Sequence, residues 1–205
     1  MNSVKRKIIY FILIIIFAIL SYYYIENTKE KRHDEIFFLN STRSYISDIN
    51  RELEWLQNTY TTGVYKYYQD TIYYITRELY LLDQLLRNGT RFLNSEIGYI
   101  SPPYGFDYIG TAFEGRLGRE YQKGFAKDGF ISENEMKFIN QLYDDLEVLR
   151  ISMVGDDGLN INRNLKIEEF ANELGIFLEK WKPYSEMTPS GTTPYDYLLI
   201  EKKTP

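Results

Sequence analysis

Between Ile8 and Ile25 the chain carries eighteen consecutive residues without a charged side chain, directly after Lys5, Arg6 and Lys7. As an α-helix this run is about 27 Å long, close to the hydrocarbon thickness of a bilayer. A helix apolar on every side has no solvent face, which argues against a place in a soluble core. A cleaved signal peptide shares the basic start and apolar centre but needs small residues at the cleavage site. Here Ala18 is followed by Ile19, Leu20, Ser21 and three tyrosines. An uncleaved signal anchor is the expected reading. Tyr22, Tyr23 and Tyr24 suit the interfacial aromatic belt of a single-pass helix.

Basic residues stand at both ends of the run, with Lys29, Lys31 and Arg32 beyond it. The N-terminal cluster abuts the apolar segment, whereas the distal one is mixed with Glu26, Glu30, Asp34 and Glu35. The positive-inside rule then puts the N-terminus in the cytoplasm and residues 26–205 outside. The cytoplasmic tail is expected to be about seven residues, 1–7. It would hold no output module, so signalling through the membrane would need a protein partner in the membrane or envelope.

The chain has 0 Cys and 1 His in 205 residues, which excludes disulfide staples, thiolate zinc sites and thiol nucleophiles. Lys5, Arg6 and Lys7 account for three of the 24 basic side chains, leaving 21 against 29 acidic ones, a net of −8. Nucleic acid is not an expected partner of such a surface. The abundance of Ile, Asn, Lys and Tyr leans towards a low-GC bacterium.

No Gly precedes Gly63 and no Pro precedes Pro102, so nothing before Thr62 forces a helix to stop. Residues 26–35 form a charged stalk, with Lys31 and Glu35 at helical neighbour spacing. Residues 36–182 are expected to form an all-α helical bundle of about four helices. Ile46, Ile49, Leu53, Leu56 and Tyr60 make a three-four seam of coiled-coil type. Val64, Tyr68, Ile72, Ile75, Leu79, Leu82 and Leu86 make a second. A hairpin at 58–63 is expected over one long helix, because a returning helix buries both seams. Asn88 and Gly89 are expected to cap the second helix.

An irregular insertion, 89–130, holds most of the glycines, and Phe113, Leu117, Tyr121 and Phe125 at steps of four suggest a short helix within it. Its tyrosines are expected to close over the bundle end as a lid. Residues 127–135, Lys-Asp-Gly-Phe-Ile-Ser-Glu-Asn-Glu, resemble the second half of an EF-hand calcium loop, with Gly129 as turn glycine and Glu135 as the bidentate ligand. The first and third ligand positions fall on Gly124 and Ala126, which supply no side-chain oxygen. A capping box of Ser132 with Glu135 explains the same residues, and no metal is expected. Met136, Ile139, Leu142, Leu146, Leu149 and Met153 form the next seam, ended by Gly155-Asp156-Asp157-Gly158. A last helix from about Leu165 carries Ile167, Phe170, Leu174, Phe177, Leu178 and Trp181, stopped by Pro183. Residues 183–205 read as a flexible tail, in which Tyr195–Ile200 could dock as a strand or a clip.

No catalytic set emerges. His33 lies in the charged stalk, no phosphate-cradling glycine pattern is present, and no cofactor is expected. With 20 Tyr in 205 residues, the candidate interaction surface is Tyr65, Tyr67, Tyr73 and Tyr74 on the second helix and Tyr99, Tyr104, Phe106 and Tyr108 in the insertion. The expected function is a non-enzymatic interaction or assembly component of the bacterial cell envelope. One alternative is a ligand-sensing domain; another is an envelope hydrolase using Glu114, Glu120 and Asp128. Orientation is directly testable: protease added to intact cells is expected to remove a C-terminal tag, and a protected tag would reverse the topology.

Overall fold

The computed structural model describes residues 3–62, 68–92, 105–115, 124–126, 129–155, 158, 160–182 and 193–200. Among them are six helices and no strand: α1 (Ser3–Thr62), α2 (Tyr68–Phe92), α3 (Phe106–Phe113), α4 (Glu133–Ser152), α5 (Ile167–Lys180) and α6 (Asp196–Ile200). The chain divides into two units, 1–37 and 38–205.

The first unit is the N-terminal part of α1. Its large apolar residues from Tyr10 to Ile25 are exposed on every side, and by length and composition this helix can cross a membrane. The charged segment that follows stays helical, with Glu35 bonded to Arg32 at 2.8 Å and Lys31 at 4.0 Å.

In the second unit, Ile46, Ile49, Leu53 and Leu56 of α1 are fully buried, and so are Ile75, Leu79, Leu82 and Leu86 of α2. Each such side chain contributes about 2 kcal/mol of apolar burial. The helices run antiparallel. Trp55 meets Tyr68 edge-on at 6.3 Å near the turn, while Phe38 packs against Gly89 at the far end. A hairpin therefore joins the two helices as expected, but later than residues 58–63, because α1 stays helical to Thr62; residues 63–67, with Val64, Tyr65 and Tyr67, lie outside the described residues.

Gly89 is not a cap, contrary to expectation. α2 continues through Asn88 and Gly89 to Phe92. A Cβ on Gly89 would stand 2.2 Å from the Phe38 ring, so the glycine is a close-approach residue that lets an aromatic ring reach the α2 backbone.

α4 begins as the capping box predicts. Ser132 Oγ accepts from the Glu135 amide at 3.2 Å, and Glu135 Oε2 accepts from the Ser132 amide at 2.7 Å. Met136, Ile139, Leu142, Leu146, Leu149 and Met153 are all buried. Two polar contacts set its register against α1: Asn50 Nδ2 donates to Glu147 at 3.0 Å and Gln57 Nε2 to Asn140 at 3.0 Å. Both pairs are seven residues apart on each helix, so a slip by one residue breaks both. The Gly155 amide then bonds the Asn160 carbonyl at 2.8 Å, Gly158 takes φ +68°, and the chain turns into α5. There Lys180 Nζ and Trp181 Nε1 both donate to Asp145, at 2.7 and 2.9 Å.

The insertion and the C-terminal segment differ from their expected forms. The short helix is α3, Phe106–Phe113, which precedes the stretch that the step of four suggested. After it Gly115 takes φ +75°, and the Phe125 amide returns to bond the Phe113 carbonyl at 3.0 Å. Phe113 and Phe125 thus meet, rings 4.5 Å apart, through chain reversal rather than helical periodicity. Leu117 and Tyr121 lie outside the described residues. Phe106, Ile109, Ala112, Phe113, Phe125 and Ala126 of the insertion belong to the core, while of the tyrosines expected to form a lid Tyr108 is half-buried and Tyr99 and Tyr104 lie outside the described residues. Residues 196–200 form a helix, not a strand, and Tyr195 and Leu198 are buried with that core.

Replacing Gly89 by Ala is expected to cost about 1–3 kcal/mol through overpacking, measured by denaturant unfolding of the full chain in micelles with tryptophan fluorescence. Adding Phe38→Leu should recover part of that loss; a Gly89→Ala protein as stable as the parent would contradict the packing role.

Candidate functional site

The buried stripe of α2, Tyr68, Ile72, Ile75, Leu79, Leu82 and Leu86, leaves Tyr73, Tyr74 and Arg77 on the opposite side. Tyr73 is 65% exposed and Tyr74 47%. Their rings meet at 6.1 Å, and the Arg77 guanidinium lies 5.3 Å from the centre of the Tyr74 ring. Arg77 also donates to Glu78 at 2.6 and 3.1 Å, which holds its pKa above the usual arginine value. Two clefts flank this face and share Arg77 in their walls.

The first cleft, about 390 Å³, lies between α2 and the end of α3. Ile72, Tyr73, Tyr80, Phe113 and Phe125 make its apolar lining, and Tyr80 Oη donates to Glu114 at 3.3 Å beside it. The second, about 490 Å³, runs between α1 and α2. Its α1 wall carries Asp48, Arg51, Glu52 and Trp55; its α2 wall carries Asp70, Thr71, Tyr74, Arg77 and Glu78. Trp55 is 36% exposed, a large indole left partly in water at a helix seam.

Of the residues expected at an interaction surface, Tyr73 and Tyr74 are on this face. Phe106 is not: it is fully buried and its ring stacks on Phe177 at 5.1 Å, because α3 turns its aromatic side inwards. Tyr108 is half-buried, packed edge-on against Tyr195 at 5.3 Å, and belongs to the rim of the core. Tyr65, Tyr67, Tyr99 and Tyr104 lie outside the described residues. Sequence reasoning missed Trp55 and Arg77. Trp55 falls between Leu53 and Leu56 but off their seam, and an aromatic on the polar side of a helix is the signal that could have found it.

Several titratable groups elsewhere hold helices together. Arg87 bridges α2 to α3, bonding Asp83 on its own helix and Asp107 at 2.8 Å. Burial, and next the nearby Asp83 carboxylate, raise the Asp107 pKa, outweighing Arg87. Arg150 holds Glu147 at 2.6 and 2.7 Å; that hydrogen bonding, ahead of the opposing effect of burial, lowers the Glu147 pKa. The Glu135 carboxylate is engaged in its cap. Of the acids considered for hydrolysis, Glu114 is at the first cleft, while Glu120 and Asp128 lie outside the described residues. Among the described residues no group of three His, Asp or Glu side chains converges as a metal site. Comparison with protein-family models, curated proteins and solved structures gave no match.

The Arg87 bridge has a pH signature. Arg87→Met removes from the fully buried Asp83 and from Asp107 the guanidinium that both bond. The expected cost at pH 7 is about 2–4 kcal/mol, set below the roughly 3–5 kcal/mol of a fully buried pair because Arg87 is itself 32% exposed. Asp107 already has a raised folded pKa, so its ionisation lowers stability as pH rises from the unfolded into the folded pKa. Without Arg87 that effect grows, and the gap from the parent should narrow as pH falls into the carboxylate range. Unfolding curves across pH that run parallel for the two proteins would exclude it.

Proposed function

We propose that this is a single-pass membrane protein whose residues 26–205 lie outside the cytoplasm of a bacterial cell, with its longer helices bundled, and that it acts without catalysis as an interaction or assembly component of the envelope. The membrane part of the reading rests on the exposed, all-round apolar start of α1 with Lys5, Arg6 and Lys7 before it. The interaction part rests on one observation: the exposed Tyr73, Tyr74 and Arg77 gather on a single face with Trp55 nearby, between two clefts. Tyr, Trp and Arg are the side chains that dominate binding energy where they are desolvated by a partner, since each joins a large apolar body to a polar tip. The acids and bases of the α2–α3, α1–α4 and α4–α5 contacts are engaged in holding helices together, which favours binding over proton-transfer chemistry. The apolar cleft beside Tyr80, Phe113 and Phe125 supports a second reading, ligand sensing, because about 390 Å³ suffices for a small molecule.

A photo-crosslinking residue placed at position 73 or 74 in cells is expected to yield discrete protein adducts, and one at Glu168 on α5 to yield none. Tyr73→Ala and Tyr74→Ala should leave folding stability within about 0.5 kcal/mol, as at other exposed sites, while reducing co-purification of the captured protein. Adducts with lipid or wall polymer alone would end the protein-interaction reading.

A further inference from the structure

We infer that the groove between α1 and α2 is the docking site for a basic segment of a protein partner, with a lysine or arginine side chain seated on Trp55 near Glu52 and Asp70. The inference rests on the interaction reading above and names the partner's chemistry. Four carboxylates line the groove, Asp48, Glu52, Asp70 and Glu78, against two guanidinium groups, Arg51 and Arg77. Both arginines are already answered by acids on their own helices. Arg51 pairs with Asp48 at 3.0 Å and Glu52 at 3.5 Å, and Arg77 with Glu78 at 2.6 Å. The uncompensated charge is negative, and Asp70 forms no ion pair among the described residues. An acidic or phosphate-bearing partner would therefore meet repulsion, and a basic one complementarity.

The aromatic residues make the site more than a run of acids. Trp55 stands on one wall and Tyr74 on the other. Tyr74 already has a guanidinium over its ring, that of Arg77 at 5.3 Å, so this wall accepts a cation. Trp55 is the better cation–π ring and has none over it among the described residues. Tyr68 packs edge-on against the indole at 6.3 Å and fixes its orientation, and Asp70 follows two residues later on the same helix. Glu52 precedes Trp55 by one helical turn, so carboxylates stand on both sides of the indole's groove.

The dimensions suit a short extended segment. Asp48 and Trp55 are seven residues apart, about 10 Å along the helix axis, which an extended chain covers in about three residues. Two basic residues with two between them would put one cation at Trp55 and Asp70 and the other at Asp48 and Glu78. Each exposed ion pair or cation–π contact changes affinity by only a few-fold, so binding is expected to be weak for a single cation and to need both.

The test uses the full chain in phosphatidylcholine nanodiscs and the peptide acetyl-Lys-Gly-Gly-Lys-amide, with the corresponding glutamate peptide as control. Expected is a saturable, salt-suppressed change in tryptophan emission with the lysine peptide, lost in Trp55→Phe. The Glu52→Gln/Asp70→Asn pair should weaken it several-fold, while Glu168→Gln/Glu173→Gln on α5 leaves it unchanged, with helical content by circular dichroism equal in all variants. The inference is overturned by no response, by an equal response to the glutamate peptide, or by equal weakening from the α5 pair. If the peptide fails but crosslinks from position 73 still capture protein, the groove assignment falls and the interaction reading stands. If those crosslinks capture no protein, both fall.

Discussion

The ring of Phe138 is the contact on which one end of the helical unit depends. It is fully buried on α4 and meets Phe113 at 5.7 Å, Phe125 at 5.4 Å, Trp181 at 5.2 Å and Tyr195 at 5.7 Å. Those four partners come from α3, the segment that returns to it, the end of α5 and the start of α6. Each ring pair adds about 0.5–1.5 kcal/mol to the apolar burial itself. Elements with little helix-forming strength of their own, such as eight-residue α3 and five-residue α6, are ordered by inserting aromatic side chains into this one cluster.

That packing shapes the outer surface. With Phe113 and Phe125 drawn against Phe138, and Arg87 holding Asp107, α3 lies along α2 and closes the far wall of the apolar cleft. On the other side of α2, the antiparallel run of α1 builds the acidic groove. The face of Tyr73, Tyr74 and Arg77 is what remains of α2 once both neighbours are in place. Its chemistry, aromatic and cationic between an apolar cleft and an acidic groove, is therefore a product of the packing on either side.

Much of the helical framework was legible. The seams of α1, α2, α4 and α5 repeat at three and four residues, a local property of each helix, and the residues named from them are buried with few exceptions. The Ser132 cap was readable because both of its bonds lie within four residues. Phe138 was not: it lies outside the single seam counted on α4, since that helix is covered on more than one face. Gly89 looked like a terminator because its local chemistry is that of a cap; only the Phe38 ring, 51 positions earlier in the chain, gives its reason. The spacing of Phe113 and Phe125 imitated a helix that the positive φ of Gly115 interrupts.

The sequence by itself determined the all-helical character of the described residues, an N-terminal segment apolar enough to cross a membrane, the start of α4, and the tyrosines that no single seam could bury. These follow from periodicity, hydropathy and capping, all of which act over a few residues. Tertiary structure alone decided that Phe106 is core while Tyr73 and Tyr74 are surface, that Trp55 and Asp70 border one groove, and that the C-terminal helix completes the core. Each of these joins residues distant in the chain, and their proximity depends on which helix faces pack together, a choice made by the summed burial of the whole unit.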